Sequence, residues 1–153
     1  MNSETRQQQR ADNLRQHLLR TSRIINTAIV NGLHQDGFTQ LKSTHTVLLS
    51  HLDLEGSSLT QIAQRAGITK QAMGRLADEL AQLKYIKRTR SQTDKREFII
   101  TFTKSGLKLM NQSFQIMEVI EKRCADILGD NNFNRLLNSL QSIENKFSDN
   151  PEQ

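Results

Sequence analysis

The stretch LTQIAQRAGITKQAMGRLADEL, residues 59–80, predicts two short helices joined by a tight turn. Gly67 lies in the turn, where a residue without a Cβ most easily adopts a positive φ. The small side chain of Ala63 lies where the two helices would touch, and it lets them approach closely. Apolar residues recur at the spacing that fills the angle between the helices, namely Ile62, Ala66, Ile68, Met73 and Leu76. The pattern predicts a helix-turn-helix, with an ordinary helical hairpin as the alternative.

The second of these helices begins with polar residues that suit contact with DNA. In a helix-turn-helix, the N-terminal end of the second helix enters the major groove. Thr69 can cap the helix and donate its hydroxyl to a phosphate, and Lys70 can pair with a phosphate or a guanine. Gln71 can pair with adenine, and Arg75 with guanine. We therefore predict that these four side chains contact DNA.

Gly74 is unusual because it lies inside this second helix. Glycine in a helix interior costs ~1 kcal/mol relative to alanine. Close approach of the helix backbone to DNA would explain the residue, and so would a tolerated surface glycine. On the first explanation, Gly74 joins the predicted DNA-contacting residues.

A basic hairpin is predicted directly after the two helices. The segments YIKRTR (85–90) and EFIITFT (97–103) are rich in β-branched and aromatic residues, which indicates two strands around a polar turn. Residues 87–96 read KRTRSQTDKR and contain five basic residues and one acidic residue. Two strands alone are not stable in water, so the hairpin must pack on the helices before it.

The basic residues of the hairpin are candidates for contact with the DNA backbone and minor groove. A narrow minor groove attracts arginine through its negative potential. Lys95 or Arg96, at the predicted tip, could enter that groove. Arg88 and Arg90 lie on the first strand and would face phosphates or the hairpin base. Asp94 is two residues from Arg96, and we expect it to orient that arginine rather than to touch DNA.

The segment RTRSQTDKREFIITFTKSG (88–106) resembles the wing of MarR-family transcriptional regulators. That family typically shows Arg-x-x-Asp-x-x-Asp-x-Arg, an apolar strand, and then Leu-Thr-x-x-Gly. The matching residues are Arg88, Asp94, Arg96, Thr103 and Gly106. The family's preceding helix-turn-helix pattern matches at Ile62-Ala63, Gly67-Ile68 and Thr69.

The chain departs from the family pattern at four positions. Lys84 stands where the family often has glycine, and Ser91 where aspartate is common. Ala72 and Gly74 stand where serine or threonine is frequent. These differences concern individual contacts rather than the fold.

The resemblance implies a mainly α fold with a small β-hairpin, in which a winged helix-turn-helix is flanked by N- and C-terminal dimerisation helices. The implied domains are an N-terminal dimerisation helix (1–38), the DNA-binding domain (39–103) and C-terminal dimerisation helices (104–153). Helical spacing of apolar residues independently predicts helices over 8–33 and 42–53.

The apolar stripe from Leu107 to Leu128 also favours a homodimer. At ~1.5 Å per residue it would be about 33 Å long, which is too long for one small wing domain to cover. A dimer would place two recognition helices ~34 Å apart, or a multiple of that distance, on a palindromic site. The alternative is a monomer in which residues 8–33, 104–128 and 130–147 pack as three helices.

The charge of the chain is concentrated around the predicted DNA-binding elements. The formal net charge is +5, and residues 69–96 alone hold eight basic and three acidic residues. The rest of the chain is balanced. A localised basic region on a neutral body is expected of a nucleic-acid binder, although a solvated basic surface is the alternative.

The sequence favours neither an enzyme nor a membrane protein. It has no nucleophile–base pair, no glycine-rich phosphate loop and no metal motif, so we predict no catalytic residue, cofactor or metal. His17, His34, His45 and His51 lack convincing ligand spacing. Cys124 lies on the apolar stripe and is expected to fill the core rather than to sense redox state. No apolar run approaches the ~18 residues of a membrane span, and the N-terminus lacks a signal peptide's apolar core, so we expect a cytoplasmic protein.

Together these patterns predict a sequence-specific regulator that binds double-stranded DNA and acts as a homodimer on a palindromic operator. The resemblance implies a ligand-responsive repressor with a small aromatic or anionic effector. The alternatives are a winged-helix protein-interaction module and a nonspecific nucleoid-type DNA binder. The basic wing argues against the first, because protein interfaces seldom concentrate one sign of charge.

Overall fold

The computed structural model describes residues 12–148, and the chain divides into two compact units after Ile116. The elements are α1 (Leu14–Gln35), α2 (His45–Leu49), β1 (Ser57–Ser58), α3 (Leu59–Ala66), α4 (Lys70–Gln82), β2 (Ile86–Arg90), β3 (Phe98–Phe102), α5 (Lys104–Leu128) and α6 (Asp130–Ser148). The mainly helical fold with a small antiparallel sheet is confirmed. The predicted helix start at residue 8 lies outside the described residues.

The helix-turn-helix is held by caps at both helix starts. Ser58 and Gln61 form a capping box, in which each side chain accepts from the other residue's backbone N–H. Gly67 ends α3 with φ 65°, the left-handed conformation predicted for the turn. Thr69 caps α4, because its hydroxyl accepts from the N–H of Ala72 at 3.1 Å. The sequence therefore fixes where both helices begin and where the chain turns.

The sheet has three strands, in the order β1-β3-β2, all antiparallel. The prediction of a two-stranded hairpin was incomplete, because Ser57 and Ser58 pair with Ile100 and Ile99. Two serines after a glycine carry no strand signal, and the sequence indicated only a break there. The short strand is held by its pairing with β3, and Ser58 at its end also caps α3.

The helix predicted over residues 42–53 is wrong in its extent, since α2 covers only His45–Leu49. After it the N–H of Ser50 bonds to the carbonyl of Thr46 at 2.9 Å, and the N–H of His51 bonds to that of Leu48 at 3.1 Å. The helix therefore ends at Leu49, with Ser50 as its C-cap residue, and does not continue to residue 53. Leu52 is nevertheless buried in the core. Its apolar side chain therefore indicated a buried position and not a longer helix.

The core of the first unit joins the helix-turn-helix to the sheet. Its most enclosed side chains come from α2, α3, α4 and β3, and they are Leu48, Ile62, Met73, Leu80 and Ile100. Ala66, Ile68 and Leu76 are partly buried against this core, as the predicted filling of the interhelical angle requires. Burying a side chain of this size stabilises the fold by about 1.5–3 kcal/mol, so the angle between the helices is firmly set.

A tight junction joins the hairpin to α5. The Thr103 hydroxyl donates to the carbonyl of Lys84 at 2.6 Å and accepts from the N–H of Gly106 at 3.0 Å. A Cβ at Gly106 would lie 1.9 Å from the carbonyl oxygen of Tyr85, so only glycine fits. Lys84 itself has φ 64°, which explains why glycine is frequent at this position in the family the sequence resembles. The spacing Thr-x-x-Gly is thus a packing requirement at the base of the sheet.

Both units expose large apolar side chains. In the first unit most of these lie on α1 and on the N-terminal part of α5, namely Leu14, Leu18, Leu19, Ile24, Leu107 and Phe114, and Leu54 is exposed between α2 and β1. In the second unit they are Val119, Ile127, Leu128, Leu136, Leu137, Ile143 and Phe147. No described residue of α6 is buried. Cys124 is half-buried rather than enclosed.

Candidate nucleic-acid interface

Helix α4, which we call the recognition helix, separates an apolar inner side from a polar outer side. Met73, Ala77 and Leu80 are fully enclosed against the core. Thr69, Lys70, Gln71, Ala72 and Arg75 are exposed in the first turns. The four predicted DNA-contacting side chains of this helix therefore lie on one accessible surface.

Gly74 has no packing reason to be glycine. A Cβ built on it would meet only one atom outside its own helix, Cδ2 of Leu59 at 3.9 Å, which is ordinary van der Waals contact. The residue is half-buried and has helical φ. The fold thus leaves room for alanine, and packing within the chain does not require glycine at this position.

A buried histidine links the recognition helix to the segment before α2. His45 is 1% exposed, and its Nδ1 accepts from the backbone N–H of Lys42 at 3.1 Å. The neutral ring therefore carries its proton on Nε2, which donates to Oε2 of Glu79 at 3.0 Å. Lys42 also donates to that oxygen, at 2.7 Å. Hydrogen bonds from Lys42 and then His45 lower the pKa of the Glu79 carboxyl. The sequence offered no signal for this contact, because its partners are 34 residues apart.

The wing comprises β2, β3 and the loop between them, and its first strand is joined to the recognition helix. Arg88 forms an ion pair with Asp78, and its guanidinium lies 4.6 Å from the ring centre of Phe98. Arg90 lies over the same ring at 5.7 Å and donates to the carbonyl of Lys95 at 3.3 Å. Cation–π contacts of this kind fix the direction of a guanidinium. Because Asp78 lies on the recognition helix, Arg88 is directed towards that helix. This differs from the expectation that Arg88 faces phosphates or the hairpin base.

The tip of the wing is shaped by side chains that accept from the backbone. The hydroxyl of Ser91 accepts from the N–H groups of Thr93 and Asp94, each at 3.2 Å. The carboxylate of Asp94 accepts from the backbone N–H of Arg96 at 2.9 Å. Asp94 thus contacts Arg96 as expected, but through the main chain rather than through the guanidinium. Ser91, which stands where aspartate is common, supplies an acceptor to the turn in its place.

Two cations remain at the tip. Lys95 and Arg96 are exposed, and neither side chain forms an ion pair with a carboxylate anywhere in residues 12–148. Their charges are therefore available to an external anion. A groove lined by phosphates would attract both.

The base of the wing loop holds one further carboxylate that the sequence did not point to. Glu97 accepts from the backbone N–H of Thr60 at 3.2 Å and from its hydroxyl at 2.9 Å. The ammonium of Lys70 lies 3.4 Å from the same carboxylate. Partial burial acts to raise the pKa of Glu97, but the bonds from Thr60 and the charge of Lys70 outweigh it and leave the pKa lowered. A predicted DNA contact, Lys70, is thus already paired within the chain.

One family model matches part of the chain. The family model described as "MarR family" matches residues 39–97, the segment that contains the helix-turn-helix and most of the wing. The matched segment of the chain is similar to the MarR family. Members of this family are DNA-binding transcriptional regulators and not enzymes, and the chain has their winged helix-turn-helix. No curated protein sequence matches the chain.

Solved structures share the fold over most of the chain. The transcriptional repressor CouR, bound to a 23-mer DNA duplex, is 26% identical with a TM-score of 0.69, and the alignment covers 86% of this chain and 92% of CouR. CouR from Rhodococcus jostii RHA1 bound to p-coumaroyl-CoA is 23% identical (TM-score 0.67; 87% and 92% covered). The apo form of MarR from E. coli is 15% identical (TM-score 0.70; 86% and 97% covered).

Residues 12–148 contain neither a membrane-spanning helix nor a cluster of metal-ligating side chains. Among residues 12–148, none of the helices is both long enough and apolar enough to cross a membrane. The same part of the chain contains no group of three or more His, Cys, Asp or Glu side chains that could hold a metal ion.

Proposed function

We propose that the chain is a repressor that binds a palindromic operator as a homodimer and blocks transcription by occupying the promoter. The observation that carries this proposal is the exposure of Gln71 and Arg75 on the recognition helix, beside a wing whose tip cations are unpaired within residues 12–148. Gln71 can read adenine and Arg75 guanine in the major groove. Arg96 or Lys95 would enter the minor groove. A protein of this kind would work in the cytoplasm, where the DNA lies.

Within the proposed regulator, residues 39–103 form the DNA-binding domain, and residues 1–38 and 104–153 supply the dimerisation helices. The exposed apolar side chains of each unit support this division. Ile127, Phe147 and Val119 are each at least 69% exposed in the single chain. Soluble monomers rarely expose large contiguous apolar patches, and a second copy of the chain would cover them.

The proposed regulator responds to a small aromatic or anionic effector. The support comes from CouR, a protein of the same fold, which has been solved with p-coumaroyl-CoA and with DNA. Such a ligand would act through its different affinities for DNA-competent and DNA-incompetent arrangements of the dimer. p-Coumaroyl-CoA is a suitable first probe, added to the preformed protein–DNA complex.

Selection of bound fragments from random DNA tests the proposal most directly. The expected result is an inverted repeat whose half-sites are one helical turn, or a multiple of it, apart. Light scattering of the purified chain should give the mass of two chains. Binding without sequence preference would favour the nonspecific nucleoid-type binder. The absence of binding even in dilute buffer would favour a winged-helix protein-interaction module.

A further inference from the structure

Glu97 lies where three elements of the first unit meet. It ends the wing loop, its carboxylate contacts Thr60 in the first turn of α3, and it is ion-paired with Lys70 in the first turn of the recognition helix. The Glu97 side chain is only 20% exposed, whereas that of Lys70 is 49% exposed. The contact is therefore part of the folded surface and not a loose pair of side chains in water.

The groups around this carboxylate are those that usually hold a phosphate. Thr60 offers a backbone N–H near a helix start, which has no partner within its own helix, and a hydroxyl. Lys70 adds an ammonium. A backbone N–H, a hydroxyl and a cation at a helix N-terminus are common partners of DNA phosphates. In this chain the carboxylate of Glu97 contacts all of these groups and takes the place of a phosphate.

We propose that Glu97 is an autoinhibitory residue that competes with DNA phosphate for Lys70 and Thr60. This inference rests on the DNA-binding function proposed above. With Glu97 in place, Lys70 contributes no phosphate contact, so backbone affinity is reduced on every sequence alike. A contribution that is equal on every sequence cancels in the ratio of operator affinity to random-DNA affinity. Glu97 therefore lowers the absolute affinity for DNA and its dependence on salt, and base discrimination stays with the base-reading side chains of the recognition helix.

The pairing also positions the wing. The backbone N–H of Glu97 donates to the carbonyl of Asp94, and its carbonyl accepts from the N–H of Ser91, each at 2.9 Å. The two ends of the wing loop are therefore tied to the residue that contacts α3 and the recognition helix. A purely structural role would follow from this geometry alone, so the test must separate charge competition from anchoring.

The test measures DNA affinity against salt for wild type, Glu97→Gln, Lys70→Gln and the double variant. Each phosphate neutralised by a cation steepens the plot of log affinity against log salt by about 0.9. Glutamine keeps an oxygen that can accept a hydrogen bond from Thr60. It carries no negative charge, so it forms no ion pair with the ammonium of Lys70. Glu97→Gln should therefore steepen the slope by about 0.9 per bound chain, or about 1.8 for the proposed dimer, which adds about a 12-fold loss of affinity between 50 and 200 mM salt.

The remaining variants isolate the Lys70–Glu97 pair. Lys70→Gln alone should leave the salt slope unchanged. In the double variant, Lys70→Gln should cancel the steeper slope that Glu97→Gln causes. Glu97→Gln should also raise the affinity for operator and for random duplex by the same factor at low salt, so the ratio of the two affinities should stay unchanged. Glu55→Gln is the matched control, because Glu55 is exposed and has no ion pair in the part of the chain described, yet its substitution changes the net charge equally.

Two results would overturn the inference while leaving the proposed function intact. One is a Glu97→Gln slope equal to that of wild type and Glu55→Gln. The other is a lower salt slope for Lys70→Gln in the wild-type background. That result would mean that Lys70 already contacts phosphate. It can be obtained even if Glu97→Gln does not fold. If wild type binds no duplex even at low salt, the proposed function fails and this inference fails with it.

Discussion

Replacing Gly74 by alanine should make the chain more stable and bind DNA less well. A helix-interior glycine costs about 0.5–1 kcal/mol relative to alanine. The added methyl group would lie 3.9 Å from Cδ2 of Leu59, so it meets no clash that would offset this gain. For a chain of this length, 1 kcal/mol corresponds to about 2–4 °C. The melting temperature of Gly74→Ala should therefore rise by about 1–4 °C.

The effect on DNA binding should have the opposite sign if the helix backbone lies against DNA. An extra methyl group in a close-packed interface typically costs about 1–3 kcal/mol, so affinity for the operator should fall at least about fivefold. Thermal denaturation and a gel-shift titration on the selected operator measure the two quantities. Gly106→Ala is the control, because its methyl group would clash with the carbonyl of Tyr85 and should destabilise the chain. Unchanged operator affinity in Gly74→Ala would show that Gly74 is only a tolerated surface glycine, and a lower melting temperature would refute the packing argument.

Three further outcomes are expected. Arg96→Ala should weaken binding on all sequences and lower the salt slope by about one unit per bound chain, and an unchanged salt titration would reject its minor-groove role. Gln71→Ala should relax base preference at one position in each half-site, worth about 1–3 kcal/mol, and an identical selected-site profile would exclude it as a reader. The pKa of Glu79 lies below its ordinary value of 4.5, so the stability from its contacts is present above that pH and is lost as the pH falls through the lower folded value. Denaturant titrations between pH 6 and pH 3 should therefore show a steeper loss of stability for wild type than for Glu79→Gln, and parallel curves would contradict this.

The sequence predicted those parts of the structure that depend on local chemistry. Gly67 and Thr69 set the turn and the start of the recognition helix because their own backbone and side-chain preferences suffice. The strand at Ser57–Ser58 was missed, because it exists only through pairing with β3. The same limit explains the missed carboxylates. Glu97 contacts a residue 37 positions away, and no local pattern announces such a partner.

These long-range pairs change how the basic charge of the site should be counted. Residues 69–96 contain eight basic residues, but Lys70 and Arg88 are paired with Glu97 and Asp78. Six basic side chains of this segment form no ion pair within residues 12–148, and they are Arg75, Lys84, Lys87, Arg90, Lys95 and Arg96. At about 0.9 per phosphate, two copies of the segment can contribute a salt slope of at most about 11 in magnitude. A steeper contribution from this segment would require Lys70 or Arg88 to leave its carboxylate when DNA binds. The slope of the wild-type protein therefore already constrains whether these internal pairs persist in the complex.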